Sequence, residues 1–324
     1  MQKLLAPLSV LLLILSSPAF AGPQDWQGEW PRTDFTRTSV DYGEILSGGP
    51  PKDGIPPIDD PKFQPVSKVE GLADSEPVIT FDHNGDARAY PLRVMIWHEI
   101  VNDVVGDLPV TVTYCPLCNS GIVFDRNLDG RVLDFGTTGK LRNSDLVMYD
   151  RQTESWWQQF LGEGIVGQMT GKRLTMLASR FESFARFRDR FPDGRVLVPR
   201  DLRQRDYGTN PYAGYDTAER PFLYAGPLPA EIAPLKRVVI VAGEAWSLDL
   251  LQDRREIRRG DLLIRWEAGQ NSALDTAEIA RGRDVGNVTV QRRVGDHWQD
   301  VVHDLTFAFV FTAFYPEGRL NHLP

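Results

Sequence analysis

Short stretches of alternating apolar and polar residues follow one another through most of the chain. Residues 77–82 and 87–91 are rich in β-branched and aromatic side chains, and they enclose a turn in which Asn84 is followed by Gly85. An Asn-Gly turn between two such stretches is the strongest short-range signal of a β-hairpin. Residues 108–114 alternate β-branched side chains in the same way. The pattern therefore predicts a hairpin followed by a further strand.

The same pattern continues towards the C terminus. Residues 121–125 and 131–135 flank the turn-forming stretch 127–130 and predict a second hairpin. One helix is predicted over residues 180–191, where phenylalanines recur at near-helical spacing. Further strands are predicted at residues 145–150, 237–242, 261–266, 288–292 and 305–311.

Many short strands separated by turn residues predict a mainly β fold of the α+β type, with a few helices and a sandwich- or barrel-like antiparallel sheet. No internal repeat or low-complexity linker divides the chain, so residues 71–324 are predicted to form a single β-rich domain. Residues 22–70 are rich in Pro and Gly, which disfavours a helix or a central strand. We expect this segment to be an extended arm on the domain. Its aromatic residues would hold it there: Trp26, Trp30, Phe35 and Tyr42.

The first 21 residues have the pattern of a cleaved signal peptide. Lys3 gives a positive start, residues 4–15 are apolar, and residues 19–21 have the small residues that signal peptidase requires. The apolar stretch is shorter than the roughly 20 residues of a membrane-spanning helix. The sequence therefore predicts cleavage after Ala21, a periplasmic or secreted location, and no membrane span after signal removal.

The formal net charge of the 324-residue chain is -8. Binding to nucleic acid needs a basic surface, so this charge argues against a nucleic-acid partner. The sequence has no Gly-rich phosphate loop, dinucleotide fingerprint or Gly-x-Ser-x-Gly motif. The partner, whether a small molecule or a protein, is therefore undefined, and the sequence does not distinguish an enzyme from a carrier.

The two cysteines, Cys115 and Cys118, form a C-x-x-C segment directly after the predicted strand 108–114. A disulfide is the default state in an exported protein. However, a ring this small would stabilise the fold by only about 2 kcal/mol in the chain-entropy model. A chain of this length has a large core and little need of that contribution. The pair is therefore predicted to be functional, either redox-active or metal-binding.

Two thiolates at this spacing form half of a metal site that suits copper or zinc. His98 is the best candidate for a third ligand, because a hairpin joining its segment to the next strand would bring the imidazole beside the thiolates. Met148 is a candidate thioether ligand if the metal is copper. An oxidising compartment and the available methionine favour copper over zinc. Residues predicted to surround the site are Glu99, Tyr114 and Trp156.

Thiol–disulfide exchange is the other chemistry open to Cys115 and Cys118. A thioredoxin-type site continues into a long helix, whereas residues 119–126 are predicted to form a turn and another strand. The leading hypothesis is therefore an exported protein that binds copper or zinc, or that acts as a thiol-redox protein. The alternative is a non-catalytic binding or scaffold protein, in which a Cys115–Cys118 disulfide only shapes a ligand loop.

A set of short motifs lies between about residue 55 and the C terminus, and Thr-Tyr-Cys-Pro-Leu-Cys at residues 113–118 is the most specific of them. The others are at residues 89–92, 98–103, 124–126, 148–151, 153–156, 210–212 and 311–316. Together these motifs resemble domain of unknown function family 3179. The resemblance implies one domain over both halves of the chain and no established reaction. It also implies that His98, the cysteine pair and residues 148–151 belong to one recurring set.

Overall fold

The computed structural model describes residues 22–323, so the predicted signal peptide lies outside the described residues. Within this range none of the helices is long and apolar enough to cross a membrane. The helices are α1 (Pro23–Trp26), α2 (Leu92–His98), α3 (Phe184–Arg190), α4 (Leu248–Arg254) and α5 (Ala308–Phe314), with 3₁₀ turns at Tyr42–Glu44, Val66–Lys68, Tyr215–Thr217 and Ile279–Arg281.

Strands make up most of the regular structure between residues 22 and 323. They are β1 (Ile45–Ser47), β2 (Lys62–Pro65), β3 (Pro77–His83), β4 (Asp86–Pro91), β5 (Ile100–Val105), β6 (Leu108–Cys115), β7 (Ser120–Asp125), β8 (Asn127–Leu128), β9 (Arg131–Val132), β10 (Phe135–Arg142), β11 (Asp145–Asp150), β12 (Trp156–Gln158), β13 (Glu163–Val166), β14 (Met176–Leu177), β15 (Arg180–Ser183), β16 (Arg195–Val198), β17 (Arg237–Val241), β18 (Glu244–Ser247), β19 (Glu256–Arg259), β20 (Leu262–Glu267), β21 (Asn287–Val294), β22 (His297–Asp300), β23 (Asp304–Phe307) and β24 (Arg319–Asn321).

Nearly all of these strands belong to five small sheets. Their orders are β1-β10-β11-β12-β13, β14-β7-β6-β5, β15-β3-β4-β16-β2, β23-β17-β18-β24 and β19-β20-β21-β22. The five sheets are arranged as a β-propeller with five blades in a single domain. We call β14-β7-β6-β5 the cysteine sheet and β1-β10-β11-β12-β13 the aspartate sheet, after the residues that they bring to the site described below.

The prediction of a mainly β fold with a few helices is confirmed. The expected sandwich- or barrel-like sheet takes the form of separate blades. The pairing is also not purely antiparallel, because β16 runs parallel to β4 and β24 runs parallel to β18. Individual sheets collect strands from distant parts of the chain, as shown by Lys62 of β2, which pairs with Val198 of β16. Such non-local pairing leaves no repeat in the sequence.

The hairpin predicted around Asn84 and Gly85 is confirmed, since β3 and β4 pair along their lengths. The second predicted hairpin is wrong. β7 pairs with β6 rather than with residues 131–135, and the turn at residues 127–130 closes only the two-residue strands β8 and β9. The turn residues 127–130 therefore close only a short local hairpin. The longer strand β7 pairs with β6 through the turn at residues 116–119, which we call the cysteine turn.

The helix predicted over residues 180–191 is shorter than expected. Residues 180–183 form β15 and pair with β3, and the helix begins only at Phe184. Glu182, in the middle of β15, is buried and accepts a hydrogen bond of 2.9 Å from Thr80 of β3. Pairing with β3 therefore overrides the helical spacing of the phenylalanines.

The segment 22–70 lies along two of the sheets. Its strands β1 and β2 take edge positions, where a Pro-rich segment is tolerated. Trp26 and Trp30 are buried against Trp156, with ring centroids 5.0 and 5.3 Å away. Phe35 and Tyr42 pack against the same cluster. Aromatic contacts therefore hold this segment to the aspartate sheet.

Candidate metal centre

The two cysteines lie at the tip of the β6–β7 hairpin in the cysteine sheet. Cys115 is the last residue of β6 and pairs with Ser120, the first residue of β7. The backbone N–H of Asn119 donates to the carbonyl of Pro116 and closes the turn between them. Cys118 lies within this turn, and both cysteines are buried free thiols. The tight turn therefore brings the two thiols together.

A second hairpin tip, from the aspartate sheet, meets the thiols. Asn143 and Ser144 form the two-residue connection between β10 and β11, and both have positive φ, at 53° and 64°. Positive φ at both positions is what a type I′ turn requires. The carbonyl oxygen of Ser144 accepts weak hydrogen bonds from the thiols, with distances of 3.8 Å from Cys115 Sγ and 3.6 Å from Cys118 Sγ. The turn thus directs a backbone oxygen at the two sulfurs.

Asp145, the residue after this turn, brings a carboxylate to the thiols. Single ligand atoms of Cys115, Cys118 and Asp145 all lie within 4.8 Å of one another. Oδ2 of Asp145 accepts hydrogen bonds from the side chain of Gln158 at 2.6 Å and from the backbone N–H of Phe160 at 2.9 Å. Oδ1 is buried and has no hydrogen-bond partner among the described residues. One oxygen is therefore fixed by the protein while the other is free to bind a ligand.

Burial governs the electrostatics of these three groups. It raises the pKa of Asp145 to about 6, although the hydrogen bonds to this carboxylate lower it. It also raises the pKa of the Cys115 thiol, and it raises that of Cys118 well above its ordinary value. The low-dielectric surroundings therefore disfavour negative charge here, and a bound cation would reverse that preference.

Two more buried carboxyl groups belong to the same electrostatic environment. Burial and the nearby charge of Asp145 raise the pKa of Glu99 to about 8 and that of Asp304 to about 7. Asp304 begins β23, and Thr306 of the same strand donates a 2.7 Å hydrogen bond to the carbonyl of Cys118. Asp145 of β11, Asp304 of β23 and Glu99 at the end of α2 thus form one group of buried acids near the thiols.

A long loop, residues 211–229, covers the cysteine turn. The hydroxyl of Tyr215 donates to the carbonyl of Leu117 at 3.1 Å. The hydroxyl of Ser144 donates to the carbonyl of Phe222 at 2.6 Å. These two bonds tie the loop to both hairpin tips, so the loop shields the site from solvent.

A family model described as "Protein of unknown function (DUF3179)" matches residues 52–318, which include every residue of the site. The chain belongs to this family. Comparisons with curated proteins and with solved structures gave no match. The chemistry of the DUF3179 site therefore has to be argued from the arrangement of its own residues.

The structure does not bring His98 to the thiols. The predicted hairpin between β5 and β6 is present, but His98 precedes it as the last residue of α2. Its Nδ1 bonds the carbonyl of Pro56 and its Nε2 bonds the hydroxyl of Tyr207, both at 2.8 Å. Glu99, with a φ of 59°, turns the chain out of the helix, and its carbonyl accepts a hydrogen bond from the N–H of Tyr114. The residue next to the cysteine strand is therefore Glu99.

The two hydrogen bonds of His98 make its charge state testable. A carbonyl only accepts, so Nδ1 carries the proton and Nε2 accepts from Tyr207. Burial lowers the pKa of His98 from 6.5, against the raising effect of the bond to Pro56. The folded protein thus favours the neutral ring, and this contribution to stability is lost as the pH falls below about 6.5. We expect NMR titration of the ring nitrogens to give a midpoint below that value, and a midpoint above it would contradict this environment.

The other predicted site residues are Met148, Tyr114 and Trp156, and only Trp156 lies in a different buried cluster from the cysteines. Met148 is fully buried in β11 and pairs with Thr137 and Trp157. Tyr114 is buried in β6, and its hydroxyl has no hydrogen-bond partner in residues 22–323. Trp156 does not lie beside the cysteines, because it belongs to the separate aromatic cluster that holds the N-terminal segment. Neighbouring residues of a strand point to opposite faces, which explains why Trp157, rather than Trp156, is part of the main core.

Asp145 and Ser144 are the site residues that the sequence prediction missed. Residues 145–150 were expected to be a strand, and Asn143 with Ser144 is a polar pair directly before it. Such a pair is a usable hairpin-turn signal, and an aspartate next to a turn is often exposed. Only the three-dimensional structure, in which the tips of the two hairpins meet, shows that this aspartate is buried beside the cysteines.

Proposed function

We propose that this protein binds a zinc ion between Cys115, Cys118 and Asp145. One observation carries the proposal: the two thiols and the carboxylate lie within 4.8 Å of one another in a buried position. The free Oδ1 of Asp145 supports it, because a buried polar oxygen without a partner is costly unless a ligand satisfies it. Cysteine thiolates and carboxylates are common zinc ligands.

The carbonyl of Ser144 is a candidate for the fourth ligand. A tetrahedral zinc with Zn–S bonds near 2.3 Å and Zn–O bonds near 2.0–2.2 Å separates a sulfur from an oxygen by about 3.5–3.7 Å. The carbonyl oxygen of Ser144 lies 3.6 and 3.8 Å from the two sulfurs. The hairpin turn therefore holds this oxygen at nearly the spacing that a tetrahedral zinc needs.

The donor set favours zinc over copper. Soft sulfur ligands suit both ions, but copper(I) prefers thiolate and thioether over oxygen ligands. The groups assembled around Cys115 and Cys118 are the carboxylate of Asp145 and the carbonyl of Ser144.

Thiol redox chemistry is the second candidate function, because the two free sulfurs are close neighbours in one turn. An exported location, proposed from the leader-like residues 1–21, would favour oxidation of thiols that no metal protects. Against rapid exchange stands the raised pKa of both thiols, since the thiolate is the reactive form. We therefore rank this function below zinc binding.

The test is the zinc content and the free-thiol count of natively purified protein. We expect about one zinc per chain in the wild type, as for a single closed site. Cys118→Ser should lose the zinc, and Asp145→Asn should bind it at least tenfold more weakly. His98→Ala is the matched control, since His98 lies outside the cluster, and it should retain the zinc.

Three other outcomes would change the assignment. Loss of zinc in His98→Ala with retention in Asp145→Asn would favour the ligand set predicted from the sequence. Copper in place of zinc would overturn the choice of metal. A protein with no metal and no free thiols would contain a Cys115–Cys118 disulfide, and its reduction potential would then separate a redox protein from a structural staple.

A further inference from the structure

A small, partly open cavity lies beside Cys115. It has a volume of about 120 Å³ and borders Cys115 but neither Cys118 nor Asp145. Its walls come from the cysteine turn, β10 and β11, the covering loop and the N-terminal segment, and most of its lining is apolar: Pro50, Ile55, Leu117, Leu141, Leu146 and Phe222. Several separate chain segments thus build one largely apolar chamber beside Cys115.

Two ionisable side chains, those of Lys140 and Glu99, line this chamber. The amine of Lys140 lies 3.4 Å from the carboxylate of Glu29 and 5.3 Å from the ring centre of Trp156, so its charge already has partners. The side chain of Glu99 is only 7% exposed and makes no hydrogen bond to any residue in the range 22–323. Glu99 is therefore a polar group without a hydrogen-bond partner in the described residues, on a wall that is largely apolar apart from Lys140 and Tyr212.

A buried carboxyl group in this state has a cost that a ligand could remove. A polar group without a partner in an apolar site is less stable than one that is hydrogen-bonded. Binding sites are typically apolar concave spaces with a few placed polar groups. The chamber has both features, and Glu99 is the group that would orient an occupant.

We propose that this chamber binds a small, largely apolar molecule that carries one hydroxyl or carbonyl group, which hydrogen-bonds to the carboxyl of Glu99. An apolar cavity of about 150 Å³ accommodates benzene, so the chamber fits an occupant of about six non-hydrogen atoms. The occupant would lie against Cys115 and hence beside the proposed zinc. The inference depends on the proposed function only for what the occupant meets at that sulfur, because the chamber itself needs no metal.

Cyclopentanol and methylcyclopentane are suitable probes, because they share a ring and differ by a hydroxyl in place of a methyl group. We expect NMR titration of zinc-free protein to show saturable one-to-one binding of cyclopentanol, about fivefold tighter than that of methylcyclopentane. In Glu99→Leu this preference should disappear. A hydroxyl group both donates and accepts, so the test does not depend on the protonation of Glu99.

Ile55→Phe should fill the chamber and abolish binding of both probes. Ile58→Phe is the matched control, since Ile58 lies in the same segment but lines the separate cavity beside His98. Failure of cyclopentanol to bind the wild type, or equal binding to Ile55→Phe, would overturn the inference. Zinc binding without probe binding rejects the chamber alone, whereas probe binding without zinc binding rejects the metal site alone.

Discussion

The affinity for zinc should rise about a hundredfold for each pH unit between pH 7 and pH 8. Zinc binds thiolates, so each zinc that enters displaces the protons of Cys115 and Cys118. Burial raises the pKa of both thiols, which therefore remain protonated in the metal-free protein throughout this range. Two released protons give an affinity that varies with the inverse square of the proton concentration.

At lower pH, zinc binding should also release a third proton, from the carboxyl group of Asp145. Its pKa in the metal-free protein is about 6, so the carboxyl is largely ionised above pH 7 and largely protonated below pH 5. The wild-type slope should therefore steepen from two towards three as the pH falls through 6. Asp145→Asn is the matched control, since an amide cannot titrate and its slope should remain two at every pH.

Competition against a chromophoric chelator of known pH dependence measures these slopes. A wild-type slope of one between pH 7 and pH 8 would mean that only one thiol is a ligand. A slope of zero would mean that zinc binds elsewhere. Steepening below pH 6 that persists in Asp145→Asn would assign the third proton to another buried acid, such as Glu99 or Asp304.

The local part of the site could be predicted from the sequence. The alternation before Cys115 predicted β6, and the residues after Cys118 predicted a turn and a strand rather than a thioredoxin-type helix; both features are confirmed by the β6–β7 pairing. These elements are set by neighbouring residues and by short-range hydrogen bonds. The sequence signal was therefore sufficient for the position of the two thiols.

The third group could not be predicted in the same way. His98 was favoured because it precedes the strand that pairs with the cysteine strand, yet the last turn of α2 directs its ring towards Pro56 and Tyr207. Asp145 reaches the thiols from the aspartate sheet, through the turn at Asn143 and Ser144. Which sheets lie side by side depends on non-local packing, which residue spacing along the chain does not encode.

The propeller arrangement was missed for a related reason. A propeller built from repeats shows its period in the sequence, but here single sheets combine strands from separated segments. β2, β3, β4, β15 and β16 form one sheet although β5 to β14 come between them in the chain. Short strands and turns therefore indicated a β fold without indicating how many sheets it contains.

Asp216→Asn should lower the free energy of unfolding by about 3–5 kcal/mol, the range typical when one partner of a buried ion pair is removed. The carboxylate of Asp216 is fully buried and lies in the loop that covers the cysteine turn. It accepts hydrogen bonds from Arg237 at 3.1 Å and from both terminal nitrogens of Arg283 at 3.0 and 2.9 Å. The substitution leaves the buried guanidinium of Arg237 without its counter-ion.

Urea unfolding at pH 7 measures this loss. Asp201→Asn is the matched control, since Asp201 pairs with Arg203 on the surface and such pairs contribute little. The double variant Asp216→Asn with Arg237→Met should recover part of the loss, because it removes the uncompensated charge as well. Equal losses in Asp216→Asn and in the double variant would contradict the ion-pair explanation.

The loss should also depend on pH. Burial raises the pKa of Asp216, but Arg237 and Arg283 outweigh burial and hold it below 3.8. A lowered pKa stabilises the fold above the ordinary pKa of the group, and this stabilisation is lost as the pH falls through the folded value. The difference between wild type and Asp216→Asn should therefore be constant above about pH 5 and shrink below about pH 4. Because Tyr215, the neighbour of Asp216, holds the carbonyl of Leu117, a weaker zinc affinity in Asp216→Asn would show that this ion pair also supports the cysteine turn.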